Sequence, residues 1–141
     1  MSLHSEAQLN RKFTEFAKLM NVYLAHFPKA EKYGLAQAIR VAAYDVYALI
    51  VECQKRYHKK TTLTNLDVRH EQLRMLLSLA NDLGYFGFHG GVKAAPDDGP
   101  ASAVRRYVAI SRLVDELGRM IGGWVKSERK DSQVAATGEA S

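Results

Sequence analysis

Arg105, Arg112, Arg119 and Lys126 stand seven residues apart. Seven residues are almost two turns of α-helix, so on a helix these four cations form one slowly drifting stripe. Arg106 lies beside its start, and Arg129 and Lys130 lie just past its end. Such a stripe has two readings. It is a ridge that contacts phosphates, or it is a solvated face on which Arg112 pairs with Glu116 and Asp115 with Arg119, one turn apart. Asp115 and Glu116 weaken its middle, so its ends are the better phosphate candidates. A second concentration is Q-K-R-Y-H-K-K at 54–60, where Lys55, Arg56, Lys59 and Lys60 flank Tyr57 and His58. A helix C-terminus attracts cations, but four in six residues exceed that need. Basic residues interleaved with an aromatic also suit a nucleic-acid surface. Arg69 and Arg74 add to the same inventory.

Catalytic chemistry is harder to assemble. A carboxylate-bridged di-iron bundle needs two Glu-x-x-His pairs and two further inward carboxylates. Only Asp67-Val68-Arg69-His70 comes near, and His70 is expected to be an ordinary surface residue. There is no phosphate-cradling Gly-rich loop followed by Lys and Ser or Thr, no nucleophile elbow and no H-E-x-x-H. Neither an enzyme nor a metal or other cofactor is expected. Cys53, the single cysteine, is expected to be a buried inert thiol; it forms no intrachain disulfide and fits a reducing cytoplasm.

The balance is basic, with 20 Lys+Arg against 15 Asp+Glu. Residues 128–141 hold two cations and three carboxylates, which leaves +6 on the remainder of a chain of net charge +5. The basic character therefore belongs to the folded body and favours acidic partners such as nucleic acid. The longest nearly apolar stretch, Val41 to Val51, is interrupted by Asp45 and is too short to span a bilayer. The opening M-S-L-H-S-E lacks a secretory apolar core. A cytoplasmic protein without membrane contact is expected.

Nothing reads as a strand, and four helical segments position these residues. They are expected at about 5–27, 32–59, 64–84 and 100–127, an antiparallel four-helix bundle over residues 1–127 with a flexible tail at 128–141. Pro28 ends the first, Thr64 caps the third, Gly84 stops it and Pro100 opens the fourth. The second carries a seam of Leu35, Ile39, Ala42, Val46, Leu49, Cys53 and Tyr57, and a second apolar row of Val41, Tyr44, Ala48 and Val51. A helix apolar on two sides has no place inside a bundle of four, so the second row is expected to be a subunit interface. The inner face of the fourth is read as Val104, Val108, Leu113, Leu117, Ile121 and Trp124. Gly118, Gly122 and Gly123 sacrifice helix propensity and are read as close-packing residues, with Trp124 filling the bundle's end. In the long loop 85–99, Tyr85, Phe86, Phe88 and His89 either plug the open end of the bundle or stack on bases.

Four stretches together carry a family resemblance: Lys32-Tyr33-Gly34-Leu35, K-K-T-T-L-T-N-L-D-V at 59–68, L-R-M-L-L-S-L-A-N-D-L-G-Y at 73–85 and L-G-R-M-I-G-G-W-V-K-S at 117–127. Over roughly residues 10–127 the chain resembles Avd, the accessory variability proteins of diversity-generating retroelements. The resemblance implies a basic bundle assembling as a ring-like homopentamer, without catalysis of its own. Its partners would be the retroelement's reverse transcriptase and the template-repeat RNA, possibly also DNA, in support of mutagenic retrohoming. Arg74 after Leu73 matches a basic position of the family's third helix, whereas Ser78 departs from a second. The aromatic and glycine-rich segment 85–100 is also longer than the family's usual connection. The lead-in Phe27-Pro28-Lys29-Ala30-Glu31-Lys32-Tyr33-Gly34-Leu35 is shared with bundle proteins encoded by intervening sequences in 23S rRNA genes, an alternative assignment. A structural assembly protein with no nucleic-acid role is the other.

Overall fold

The computed structural model describes residues 1–95 and 99–140. Their architecture is all-α: α1 (Leu3–Leu24), α2 (Leu35–Lys55), α3 (Lys60–Asp82) and α4 (Gly99–Ala140), with a two-stranded hairpin of β1 (Phe88–His89) and β2 (Val92–Lys93) between the last two helices. α2 packs along α3, α3 along α4 and α4 along α1, while α1 and α2 touch less closely. The link at 56–59 is too short for anything but antiparallel neighbours.

The helix ends differ from the spacing-based bounds for local reasons. Ser2 caps α1 by accepting the Ser5 N–H at 3.1 Å. α1 stops at Leu24, so Phe27 enters the core from the following turn instead of from the helix. A single turn of 3-10 helix at Lys29–Glu31 comes next, and the Glu31 carboxylate accepts the Leu35 N–H at 2.7 Å. That bond caps α2 from four residues upstream, because Gly34 at the capping position has no side chain to do so. α3 begins at Lys60, four residues before the expected cap. Thr64 is interior and its hydroxyl donates back to the Lys60 carbonyl at 3.0 Å. Tyr57, expected on the α2 seam, lies beyond the helix end and is exposed.

α4 runs on past Ser127 to Ala140 where a flexible tail was expected. Residues 125–137 contain neither Gly nor Pro, so local propensity sustains the helix although residues 129–135 are all exposed. Among the described residues of α4 the buried ones are Ile110, Val114, Leu117, Ile121 and Trp124, spaced four, three, four, three. Carried backwards, that phase reaches the half-buried Tyr107 and Ala103. Val104 and Val108 fall one residue off it and are 62% and 48% exposed, which corrects the expected inner face.

His70 is a second correction. It is 5% exposed, and its Nε2 donates to the Val114 carbonyl at 2.7 Å, joining α3 to α4 inside the core. Gly118 makes room for it: a Cβ there would sit 2.7 Å from the imidazole Cε1. The end of the bundle near the hairpin is closed by aromatic rings. Phe86 meets Phe27 edge-on at 5.3 Å and Tyr23 at 6.0 Å, and packs on Tyr107 at 5.6 Å. Arg106 holds this plug by donating to the carbonyls of Phe86 and Phe88 at 2.8 and 3.2 Å.

Candidate nucleic-acid interface

The ten candidate cations separate into engaged and unengaged groups. Arg69 donates to the Asp45 carboxylate at 2.7 and 3.1 Å and to Gln72, tying α3 to α2. Arg74 grips Glu71 with two hydrogen bonds of 2.6 and 2.9 Å, which hold the Glu71 carboxyl below the usual carboxylate range. Arg56 pairs with Glu52 at 2.8 Å. The Lys59 ammonium lies 5.6 Å over the Trp124 ring, a cation–π contact that draws it against the end of the bundle. Trp124 is itself buried, and its indole N–H has no hydrogen-bond partner among the described residues.

By contrast, no carboxylate lies within 4.0 Å of Lys55, Lys60, Arg105, Arg112, Arg119 or Lys126 among the described residues. The pairs of the solvated-face reading, Arg112 with Glu116 and Asp115 with Arg119, are both absent among the described residues. Glu116 is bound across the helix interface by Lys12 of α1 at 2.7 Å, and Lys12 also contacts Glu15 at 3.2 Å. The Lys12 hydrogen bond holds the Glu116 carboxyl below its ordinary value. Among the described residues Arg105 reaches the Ser102 hydroxyl alone, at 3.3 Å.

Arg112 and Arg119 line an open groove of about 320 Å³ with Tyr107, Val108, Ser111 and Asp115. Arg74 lies near it: Glu71 chiefly, and Asp115 to a lesser degree, raise its guanidinium pKa. The Lys59–Trp124 contact also brings the 54–60 cluster to the end of the bundle where the α4 stripe reaches Lys126. From Arg105 to Lys126 the stripe is about 32 Å long, at 1.5 Å per residue. Its spacing suits a nucleic-acid backbone better than a small ligand.

The second apolar row of α2 is on the surface. Val41 is 46% and Tyr44 49% exposed, and Ala48 and Val51 lie beside them. Gly122 and Gly123 have nothing within 4 Å of where a Cβ would stand, so neither is a close-packing residue within this chain. Two features escaped the sequence reading. One is an exposed apolar row along α3 and its C-terminal cap residue, Val68, Met75, Leu79 and Leu83, legible as spacings of seven, four and four beside the buried row. The other is a basic cleft containing Lys29, Lys32 and Arg40. No one-dimensional pattern signals it, because its residues come from a turn, a helix and the hairpin. Among the described residues no helix is long and apolar enough to cross a membrane, and no cluster of His, Cys, Asp and Glu could hold a metal ion.

A family model described as bAvd-like matches residues 8–95, well over half of the chain. The chain belongs to the bAvd-like family. No curated protein and no solved structure matches it. The bAvd-like span takes in most of α1, all of α2 and α3, and the hairpin, and it ends before α4. The Gly–Trp segment at 117–127 and the α4 stripe therefore lie outside the part of the chain that the family model recognises. Families of this Avd-like kind are accessory and non-catalytic.

Proposed function

We propose that this chain is the accessory protein of a diversity-generating retroelement, assembling with its own copies and binding the element's reverse transcriptase and template-repeat RNA or DNA to support mutagenic retrohoming. The bAvd-like match supports the class. The observation that carries the nucleic-acid part is the stripe Arg105, Arg112, Arg119 and Lys126, which no carboxylate among the described residues pairs, with Glu116 held away by Lys12. Lys55 and Lys60 add two further cations near the end of the bundle that Lys59 reaches. The exposed row Val41, Tyr44, Ala48 and Val51 is the proposed contact between copies, with a homopentamer as the expected ring. The setting is cytoplasmic, with the chemistry left to the polymerase.

The test is co-purification of tagged protein with the reverse transcriptase and template-repeat RNA encoded beside it. The wild type is expected to retain both, and R112E/R119E/K126E to lose RNA while keeping its helical content. RNA retention by that variant would sink the α4 surface. A wild type that assembles but retains neither partner would leave a purely structural assembly protein.

A further inference from the structure

A cleft of about 510 Å³ lies between the end of α1, the 3-10 turn and the hairpin. Three of its lining residues are cations, Lys29, Lys32 and Arg40, and among the described residues no carboxylate lines it. The nearby Glu31 is occupied, since one oxygen accepts the Leu35 N–H at 2.7 Å and the other the Tyr85 hydroxyl at 3.3 Å. Arg40 is half-buried and oriented by a polar chain. Its Nε–H donates to the Asn21 side-chain oxygen at 3.0 Å, and the Asn21 amide donates to the Ala17 carbonyl and the Tyr44 hydroxyl at 3.1 and 3.2 Å. Both terminal guanidinium nitrogens are left without a hydrogen bond among the described residues. A partly desolvated cation without a counter-ion is costly, and an anion entering the cleft would offset that cost.

The far wall is fixed as well. Gly90 donates to the His26 Nδ1 at 2.9 Å and Gly91 to the His26 carbonyl at 3.3 Å, anchoring the hairpin to the end of α1. Gly91 has φ +83°, and a Cβ there would lie 2.6 Å from the Lys29 Cγ, so the glycine lets the Lys29 stem lie across it. Flat faces border the cations. Tyr33 is exposed with the Lys32 ammonium 5.5 Å from its ring centroid, and the exposed His89 stacks on His26 at 4.3 Å.

We propose that this cleft binds the phosphate backbone of a single-stranded nucleic acid, with Tyr33 and His89 stacking the flanking bases. An acidic polypeptide would satisfy the three cations but has no use for two open aromatic faces. The site rests on the nucleic-acid reading above and is separate from the α4 stripe.

The test is fluorescence anisotropy with a labelled oligouridine over a potassium chloride series. K29A/K32A/R40Q is expected to reduce the slope of log affinity against log salt by at least about 0.7, the share of one single-strand phosphate contact. Tyr33→Ala is expected to weaken binding about tenfold, within the range of a lost stacking contact, with the slope unchanged. K29A/K32A changes only exposed side chains and carries the test if circular dichroism shows R40Q misfolded. Wild-type affinity and slope in K29A/K32A would overturn the cleft while the wild type still bound RNA. A wild type that bound no RNA at any salt concentration would overturn the functional reading and the cleft together. Tighter binding of oligoglutamate than of oligouridine, lost in K29A/K32A, would assign the cleft to an acidic polypeptide and also overturn the proposal.

Discussion

Gly118, Gly122 and Gly123 of α4 are expected to respond in opposite directions to the same substitution. Gly118→Ala adds a methyl group 2.7 Å from the His70 Cε1, inside van der Waals contact. The ring is buried between α3 and α4 and cannot yield without giving up its 2.7 Å bond to the Val114 carbonyl. Overpacking of this kind costs about 1–3 kcal/mol, and a buried polar group that loses its partner costs about 1–3 kcal/mol. Removing a helical glycine returns about 1 kcal/mol. With both costs incurred, the net expectation for Gly118→Ala is a loss of about 1–5 kcal/mol. Gly122→Ala and Gly123→Ala meet nothing within 4 Å, so only the propensity gain of about 0.5–1 kcal/mol remains. Urea denaturation at one fixed protein concentration measures all three as shifts in midpoint at constant slope. In a His70→Ala background the clash disappears, so Gly118→Ala is expected to become neutral or stabilising. Wild-type stability for Gly118→Ala with His70 intact would refute the packing argument.

Val41→Glu places a charge on the exposed row of α2 and is expected to dissociate the proposed assembly while leaving circular dichroism unchanged, as light scattering after size exclusion would show. Burial pushes the Cys53 thiol up to about 11, with Glu52 adding to it. A thiol reagent at mildly alkaline pH should therefore label it only in denaturant, and rapid labelling of native protein would contradict its place in the core. The depressed Glu116 carboxyl contributes stability above its unfolded value of about 4.3, which is lost as pH falls through the folded value. Glu116→Gln should flatten the acid limb of the stability profile, and an unchanged limb would remove the Lys12–Glu116 link from the account.

The helix count was legible because long apolar spacings of three and four survive a few misread positions. The phase of α4 was less so. Its first turns offer Val104 and Val108 as attractively as Ala103 and Tyr107, and only contact with Phe86 and its neighbours shows which pair is inside. The ends of α2 and α3 were obscured by a long-range cap and a false one. Glu31 works from outside the helix it caps, and Thr64 has the right chemistry for a cap but spends it on the Lys60 carbonyl. His70 was misplaced because its burial depends on a glycine 48 residues further along the chain. A polar residue facing a vacant glycine position is a pairing that no local pattern contains.

The charge stripe turned on a contest over one carboxylate. Glu116 is one turn from both Arg112 and Arg119, and sequence spacing alone gives those two the first claim. An exposed pair within one helix is worth only a few tenths of a kcal/mol, so a rival from another helix displaces it easily. Lys12 is that rival, already drawn to the site by Glu15 and less exposed than a free surface lysine, with 29% of its side chain accessible. Because α1 takes the carboxylate, α4 keeps its cations. The packing of α1 on α4 thus determines how positive the outer face of α4 is, although none of the stripe residues belongs to α1. The arrangement also explains how a helix outside the family-matched span can depend on one within it: Lys12 lies inside residues 8–95, while Arg112, Arg119 and Lys126 lie beyond them.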